Sequence, residues 1–292
     1  MATDSQPPGR TNRIPAVWLV VGGILSVQFG AAIAKDLFAQ VPPTAMVWMR
    51  LATSAVIFLA LVRPRLRGRS GHDWLVALAF GVSLMTMNWA IYQSFARIPL
   101  GLAVTIEFLG PLGVAVLGSR RLLDLIWVGL AGLGVALLGF SPGSLNLAGV
   151  LFALLAGAGW AAYILLSAQT GRRWSGVSGL AIASLVGAVA LAPPAVIQAG
   201  RDLLRPEVLL IGVAVGLLSS VIPYSLELTA LRRMPPRVFG ILMSLEPAAA
   251  ALAAILLLAE FLSWSQWLAL VCVMVASVGA TRTSRPQAEP VA

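Results

Sequence analysis

RIPLGLAVTIEFLGP at residues 97–111 and RMPPRVFGILMSLEP at residues 233–247 share one pattern of charge, proline and apolar side chains. In both stretches an arginine stands two positions before a proline, and a second proline follows twelve residues later. One constant shift of 136 residues superimposes the two pairs of prolines. Each stretch carries one acid inside an apolar run, Glu107 in the first and Glu246 in the second. A repeated apolar segment with a buried acid is typical of membrane transporters.

The composition of the whole chain places it in a membrane. Of 292 residues, 59% are hydrophobic and 11% are charged, and the mean hydropathy is +0.91. A soluble domain carries about 25% charged residues to cover its surface. The chain therefore has no room for a soluble domain of useful size. Its single cysteine, Cys272, lies in an apolar run, so we expect neither an intramolecular disulfide nor a cysteine-based metal site.

The apolar runs predict an all-α integral membrane protein with ten transmembrane helices. Each run approaches the length of about 20 residues that crosses the apolar core of a bilayer. The predicted spans are 16–34, 44–62, 74–95, 99–118, 122–140, 147–168, 177–198, 208–230, 237–259 and 265–281. The first span resembles a signal peptide, but its apolar run is longer than a signal core, and we expect it to stay uncleaved.

The basic residues predict the orientation of these spans. The net charge of +9 does not indicate nucleic-acid binding, because the arginines lie in short loops between apolar spans. If residue 1 is cytoplasmic, fifteen arginines fall in cytoplasmic segments, and Lys35, Arg97, Arg201 and Arg205 fall on the opposite side. The positive-inside rule therefore predicts that both termini are cytoplasmic.

The repeat divides the chain into two halves of five spans. Phe29-Gly30-Ala31 parallels Trp160-Ala161-Ala162, as 97–111 parallels 233–247. The predicted regions are a cytoplasmic tail at 1–15, a first repeat at 16–140, a linker at 141–146, a second repeat at 147–281 and a cytoplasmic tail at 282–292. Because five is odd, the second repeat is expected to be inverted relative to the first, as in carriers with alternating access.

Four charged residues fall within the predicted spans at least three residues from either end: Arg50, Glu107, Glu227 and Glu246. A charge that faces lipid costs roughly 2.5–3.5 kcal/mol, so these side chains are expected to face the bundle interior. Arg50 and Glu107 lie about 9 Å and about 12 Å from the outer ends of their helices, at the helical rise per residue. These similar depths allow either a structural ion pair or a substrate site.

Arg50 and Glu107 are the leading candidates for substrate binding. The guanidinium fork of Arg50 suits both oxygens of a carboxylate. Glu107 can receive an ammonium group or a proton, and it is the candidate for proton coupling because burial favours the neutral form of a carboxyl group. We also assign Asn88, Trp89, Tyr92 and Gln93 to the substrate site, because their spacing places them near one helix face. For Trp89, ordinary packing is an equal alternative.

A further set of residues is expected to break helices or to gate the site. Glu246-Pro247 predicts a helix break, because proline leaves a carbonyl without its helical partner. Glu227 lies within a turn of the cytoplasmic end, where it can reach water, and Glu260 is expected at the membrane interface. The residues assigned to structure or gating are Pro111, Pro223, Tyr224, Glu227, Glu246 and Pro247.

Three segments carry a resemblance to a known family. They are PLGLAVTIEFLGPLGVAVLGSRR at 99–121, PYSLE at 223–227 and FGILMSLEP at 239–247. With these motifs the chain resembles the EamA type of the drug/metabolite transporter superfamily, and within it the exporters of threonine and homoserine. The likeness runs from about residue 16 to residue 281. One departure is Ala259-Glu260, where the family often has Gly-Glu.

The resemblance implies a secondary active transporter that exports small neutral amino acids across a bacterial inner membrane by proton antiport. Its partners would be a small amino acid or metabolite, protons and the lipid bilayer, with no cofactor, metal or nucleic acid. A carrier of the same fold for another metabolite or drug-like solute is the first alternative. A membrane enzyme is a distant alternative, since His72 lies in a loop far from any buried serine.

Overall fold

Proline, serine and asparagine mark the starts of many helices in the computed structural model, which describes residues 14–117, 123–138 and 146–283. Within these ranges the chain is helical and contains no strand. The helices are α1 (Ala16–Asp36), α2 (Pro43–Val62), α3 (Gly71–Phe95), α4 (Leu100–Glu107), α5 (Leu109–Leu117), α6 (Leu123–Leu138), α7 (Leu147–Arg173), α8 (Ser178–Ala199), α9 (Pro206–Gly216), α10 (Ile222–Leu231), α11 (Pro236–Met243), α12 (Glu246–Leu258) and α13 (Trp264–Thr283).

Nine stretches of the described residues are long and apolar enough to cross a membrane, which confirms an all-helical membrane fold. Three of these stretches each contain two helices: α4 with α5, α9 with α10, and α11 with α12. The fifth predicted span, 122–140, corresponds to α6, which has 16 residues and is shorter than the others. Most of the predicted linker, residues 141–145, lies outside the described residues.

Local sequence explains where several helices begin. Ser70 and Asp73 form a capping box at the start of α3, in which each side chain accepts from the backbone N–H of the other residue. Asn146 accepts from the N–H of Gly149 at the start of α7, with a distance of 3.1 Å. Proline opens α2, α9 and α11, where its missing N–H has no helical acceptor to lose.

Three prolines explain the breaks inside the spans. A proline clashes with the carbonyl four residues earlier and cannot donate to it. Pro111 has this relation to Glu107, where α4 ends, and Pro247 has it to Met243, where α11 ends. Pro223 has it to Ser219, which lies in a π-helical turn at Leu217–Val221 between α9 and α10. The chain therefore bends at the depth of its buried charges.

The helices pack as two intermixed halves. α3 packs on α7 and α8, α2 packs on α8 and α9, and α6 packs on α13. α1 packs on α10 and α12, and α7 also receives α4 and α5. A Cβ added at Gly110 would stand 2.0 Å from the carbonyl oxygen of Gly157, so α5 and α7 touch through their backbones.

The two ends of the bundle are held by different contacts. At one end, called here the arginine-rich end, Arg173 pairs with Asp73 at 2.9 Å, and Arg69 donates to the carbonyl of Arg173 at 2.5 Å. At the other end, called here the lysine end, Lys35 pairs with Glu260. The contacts of Arg69 and Arg173 place the loop between α2 and α3 beside the loop between α7 and α8. Both loops therefore lie at the same end of the bundle.

Candidate functional site

The interior of the bundle contains a cavity of about 640 Å³. Its wall brings together all four charged residues predicted to lie within spans: Arg50 from α2, Glu107 from α4, Glu227 from α10 and Glu246 from α12. Its lining continues to Gly171 at the end of α7, which lies at the arginine-rich end. A charged cavity of this size inside an apolar bundle is the default candidate for a ligand site.

Arg50 is held by the broken helix opposite it. Its Nε donates to Ser220 Oγ at 2.7 Å, and its Nη2 donates to the carbonyl oxygen of Ser219 at 2.5 Å. Pro223 explains why the Ser219 carbonyl is free to accept this hydrogen bond. Proline has no backbone N–H, so the carbonyl four residues before it lacks its helical donor. The guanidinium carbon also lies 5.7 Å from the ring centroid of Tyr92. Arg50 is thus oriented by the protein, and its Nη1 makes no hydrogen bond with the described residues.

Glu107 faces the cavity without an ion pair. It is the last residue of α4 and is 8% exposed. Arg50 is its neighbouring positive charge, but among the described residues the two form no salt bridge within 4.0 Å. In this structure Arg50 and Glu107 therefore do not form the direct ion pair that was one of the two alternatives from the sequence. Both groups face the cavity instead.

The proposed polar stripe on α3 divides into two faces. Asn88 and Tyr92 line the cavity. Trp89 and Gln93 do not line it; both donate to Thr44 Oγ1 on α2, at 3.2 Å and 3.1 Å. The reason is the helical repeat, which turns each residue about 100° from the one before it, so positions 88 and 92 share one face and positions 89 and 93 share the next. The four residues therefore lie on two adjacent faces of α3, and not on the single face expected from the sequence.

Of the residues assigned to structure or gating, Pro111, Pro223 and Tyr224 also line the cavity, whereas Pro247 does not. Glu227, which was expected to reach water at the end of its span, lines the cavity. Its side chain also lies against Gly23 of α1. Glu246 also meets α1, where Gln28 Nε2 donates to its Oε1 at 3.3 Å.

Sequence reasoning missed several residues of this wall: Gln28, Trp160 and Tyr163, which line the cavity, and Ser219 and Ser220, which hold Arg50. The two serines had a local signal, since they stand four and three residues before Pro223. Gln28 is the one amide in an apolar helix, so its position also carried a signal. In the described ranges no cluster of His, Cys, Asp or Glu is arranged to hold a metal ion.

The lysine end of the cavity is closed by polar and aromatic contacts. Lys35 Nζ donates to the carbonyl of Ile98 at 2.9 Å and pairs with Glu260. Glu260 Oε2 accepts from the N–H of Leu100 at 2.8 Å, which caps α4. Beneath them the ring of Tyr92 lies 5.8 Å from that of Phe38 and 5.6 Å from that of Phe95. We call the residues Lys35, Ile98, Leu100 and Glu260 the outer clasp.

Comparison with known proteins agrees with this architecture. A solved crystal structure of 19% identity superimposes with a TM-score of 0.60 over 93% of this chain and 99% of that chain, which shows a shared fold. The threonine/homoserine exporter RhtA of Salmonella typhimurium strain LT2 is 42% identical over 285 residues, covering 95% of this chain and 96% of the relative. The exporter of the same name from Escherichia coli K12 is 41% identical over 289 residues, covering 97% of each.

Residues 147–282 match the EamA-like transporter family. This is a family of transporters, which rules out the membrane enzyme considered from the sequence. With that match, and with relatives above 40% identity over nearly the full length, the chain belongs to the EamA-like transporter family.

Proposed function

We propose that the protein is a secondary active transporter that exports small neutral amino acids of the threonine or homoserine type. The observation that carries the proposal is the buried cavity in which an oriented guanidinium, Arg50, stands among three carboxylates. An amino acid presents a carboxylate and an ammonium group, and both need oppositely charged partners when water is removed. The relatives named as threonine/homoserine exporters support this substrate class.

Arg50 receives the substrate carboxylate in this proposal. Two of its donors are already used to orient it, and its remaining donors suit a planar carboxylate. Asn88 and Tyr92 supply further polar contacts from α3. Trp89 and Gln93 support this wall indirectly through Thr44.

Glu107 couples transport to protons. Among the described residues it has no salt bridge, and it lies beside the helix break that Pro111 imposes on its span. A buried carboxyl group that faces a ligand cavity can exchange a proton for a cationic ligand, since one charge suffices to neutralise it. The partners are therefore a small amino acid, protons and the bilayer.

Ten spans in two inverted repeats, 16–140 and 147–281, form the scaffold of this carrier, with α6 as the fifth span. The helix contacts support the repeats, because the most extensive ones have a counterpart five spans away. The contact of α3 with α7 matches that of α10 with α1, and the contact of α5 with α7 matches that of α12 with α1. α2 and α8 match each other, as do α6 and α13.

Alternating access follows from the two ends of the cavity. The arginine-rich end is cytoplasmic by the positive-inside rule, which puts both termini in the cytoplasm of a bacterial inner membrane. The cavity continues toward that end, and the outer clasp closes the opposite one. In this proposal the structure represents a state that loads substrate from the cytoplasm.

Purified protein in liposomes tests the proposal. Labelled threonine and homoserine are expected to move against their gradients when a pH gradient is imposed, and unrelated metabolites are not. The Glu107→Gln variant is expected to lose the response to the pH gradient but to keep exchange of labelled for unlabelled substrate. A carrier of the same fold for another solute would instead ignore both amino acids and transport a different member of the screen.

A further inference from the structure

Two buried acceptors on the cavity wall have no donor. Gln28 Oε1 and Glu246 Oε2 are each inaccessible to water and make no hydrogen bond with the described residues. Their side chains are 4% and 8% exposed, and both line the cavity. A buried acceptor without a donor destabilises a protein, so such groups usually serve a ligand or an ordered water.

The hydrogen bond between the two side chains orients both free acceptors. Gln28 donates its Nε2 to Glu246 Oε1 at 3.3 Å, which leaves the amide oxygen of Gln28 and the second oxygen of Glu246 available. Glu246 is also the first residue of α12, where the helix dipole favours a negative charge. The pair thus holds two unpaired acceptors, one of them on a carboxyl group, within the wall of the cavity.

The scaffold does not require this pair. The repeat places Gly110 opposite Glu246 at the shift of 136 residues, and Gly159 opposite Gln28 at the shift of 131 residues that relates Phe29 to Trp160. There, a Cβ at Gly110 would stand 2.0 Å from the Gly157 oxygen, and a Cβ at Gly159 would stand 2.9 Å from the Met87 nitrogen. Backbone packing fills the equivalent space, so the two acceptors belong to one half alone.

We propose that Glu246 and Gln28 form a subsite for a primary ammonium group. An ammonium group has three donors and one positive charge, and two free acceptors with one carboxylate complement it. This inference rests on the proposed function: it divides the substrate between Arg50 for the carboxylate and the α1–α12 contact for the ammonium group. Glu107 is then left for the proton alone.

The position of charges around the subsite agrees with this division. Arg50 is the positive group that faces Glu246, and Glu107 and Glu227 are the negative ones. When ionised, the three carboxyl groups on the cavity wall outnumber the one guanidinium. A bound ammonium group would then pair with a carboxylate, while the carboxylate of the same substrate pairs with Arg50, so neither charge is left uncompensated.

Ligand-induced thermal stabilisation of detergent-purified protein tests the subsite without requiring transport. The probes are homoserine and 2,4-dihydroxybutyrate, which differ only by an amino and a hydroxyl group on the carbon next to the carboxylate. Wild-type protein is expected to bind homoserine at least tenfold more tightly. Glu246→Gln is expected to bring this ratio close to one, and Gln28→Met to reduce it partly, while Ser225→Ala, at an exposed residue outside the cavity lining, keeps it.

The outcomes separate the inference from the proposed function. If Glu246→Gln folds and keeps the full preference for homoserine, or if wild-type protein binds both probes equally, the ammonium subsite is overturned. Gln28→Met provides the same readout should Glu246→Gln fail to fold. If wild-type protein binds homoserine and threonine not at all, both the subsite and the amino-acid function are overturned.

Discussion

At the scale of single residues, the proposed substrate binding depends on how Arg50 is held. A long, flexible arginine in a cavity loses side-chain entropy when it binds a ligand, and prior hydrogen bonds reduce that loss. Ser220 Oγ and the Ser219 carbonyl accept hydrogen bonds from one edge of the planar guanidinium group. The remaining donors are therefore aimed before the substrate arrives.

Ser220→Ala is expected to weaken substrate binding while leaving the maximal flux nearly unchanged. It removes a hydrogen bond to a charged group worth about 1.5–3 kcal/mol, so the half-saturating concentration should rise by roughly tenfold or more. Flux measured over a range of threonine concentrations checks this expectation. The matched control is Ser225→Ala, whose exposed hydroxyl bonds only to the carbonyl of Val221. Equal effects of the two variants would contradict the role given to Ser220, whereas rescue by Ser220→Thr would support it.

Arg50→Lys tests the geometry of the fork. Lysine keeps the positive charge but cannot donate to Ser219, Ser220 and a carboxylate at the same time with a planar arrangement. Substrate binding is therefore expected to fall by about tenfold or more, as measured by thermal stabilisation with threonine. Wild-type affinity in this variant would show that only the charge matters.

At the scale of helices, the backbone itself forms part of the site. Proline breaks three spans near the cavity, and the breaks after Glu107 and Met243 occupy equivalent positions in the repeat. Gly110 and Gly157 let α5 approach α7 until their backbones touch. Helix association in membranes relies on such close packing, because lipid offers no hydrophobic driving force between helices.

Gly110→Ala is expected to destabilise the protein by about 1–3 kcal/mol, because its new methyl group would collide with the Gly157 carbonyl. The loss should appear as a lower melting temperature in detergent. Gly113→Ala is the control on the same helix, since a Cβ there has no atom within 4 Å. If the two variants melt alike, the close packing of α5 on α7 does not contribute to stability.

At the scale of the whole molecule, the two ends of the cavity are closed by unequal means. The outer clasp ties α1, α4 and the loop after α12 together through Lys35 and Glu260. The repeat places Leu166 opposite Lys35 and Pro236 opposite Leu100. Leucine has no charge and proline has no N–H, so the same clasp cannot form at the arginine-rich end. Under the proposed alternating access, this asymmetry favours the state closed at the lysine end.

Lys35→Met is expected to open the lysine end more often. A reporter cysteine at Ala31, in a Cys272→Ala background, should react severalfold faster with a membrane-impermeant thiol reagent added outside. Removing one partner of a mostly buried ion pair leaves the other charge uncompensated, so the closed state loses stability. The rate of labelling in right-side-out vesicles provides the measurement.

Arg205→Met is the matched control for this experiment. Arg205 pairs with Asp202 at 3.6 Å, and both side chains are 64% exposed, so the pair contributes little. Labelling of the reporter should therefore stay at the wild-type rate. Identical rates in Lys35→Met and Arg205→Met would show that the outer clasp does not control access.

The sequence by itself determined the membrane location, the approximate spans and the presence of four charges among apolar residues. These are local properties, because the cost of placing a side chain in lipid depends on its own chemistry and on the length of its helix. The prolines likewise indicated the three helix breaks, because a proline removes the hydrogen bond to the carbonyl only four residues before it.

Only the tertiary structure decided which charged and polar groups meet. It placed Arg50 on Ser219 and Ser220 rather than on Glu107, turned Trp89 toward Thr44, and brought Gln28 from α1 to Glu246 on α12. These contacts join residues far apart in the chain, and they depend on which helices pack together and on their rotation. No local property of a span contains that information, so the ammonium subsite and the outer clasp emerge from the packing.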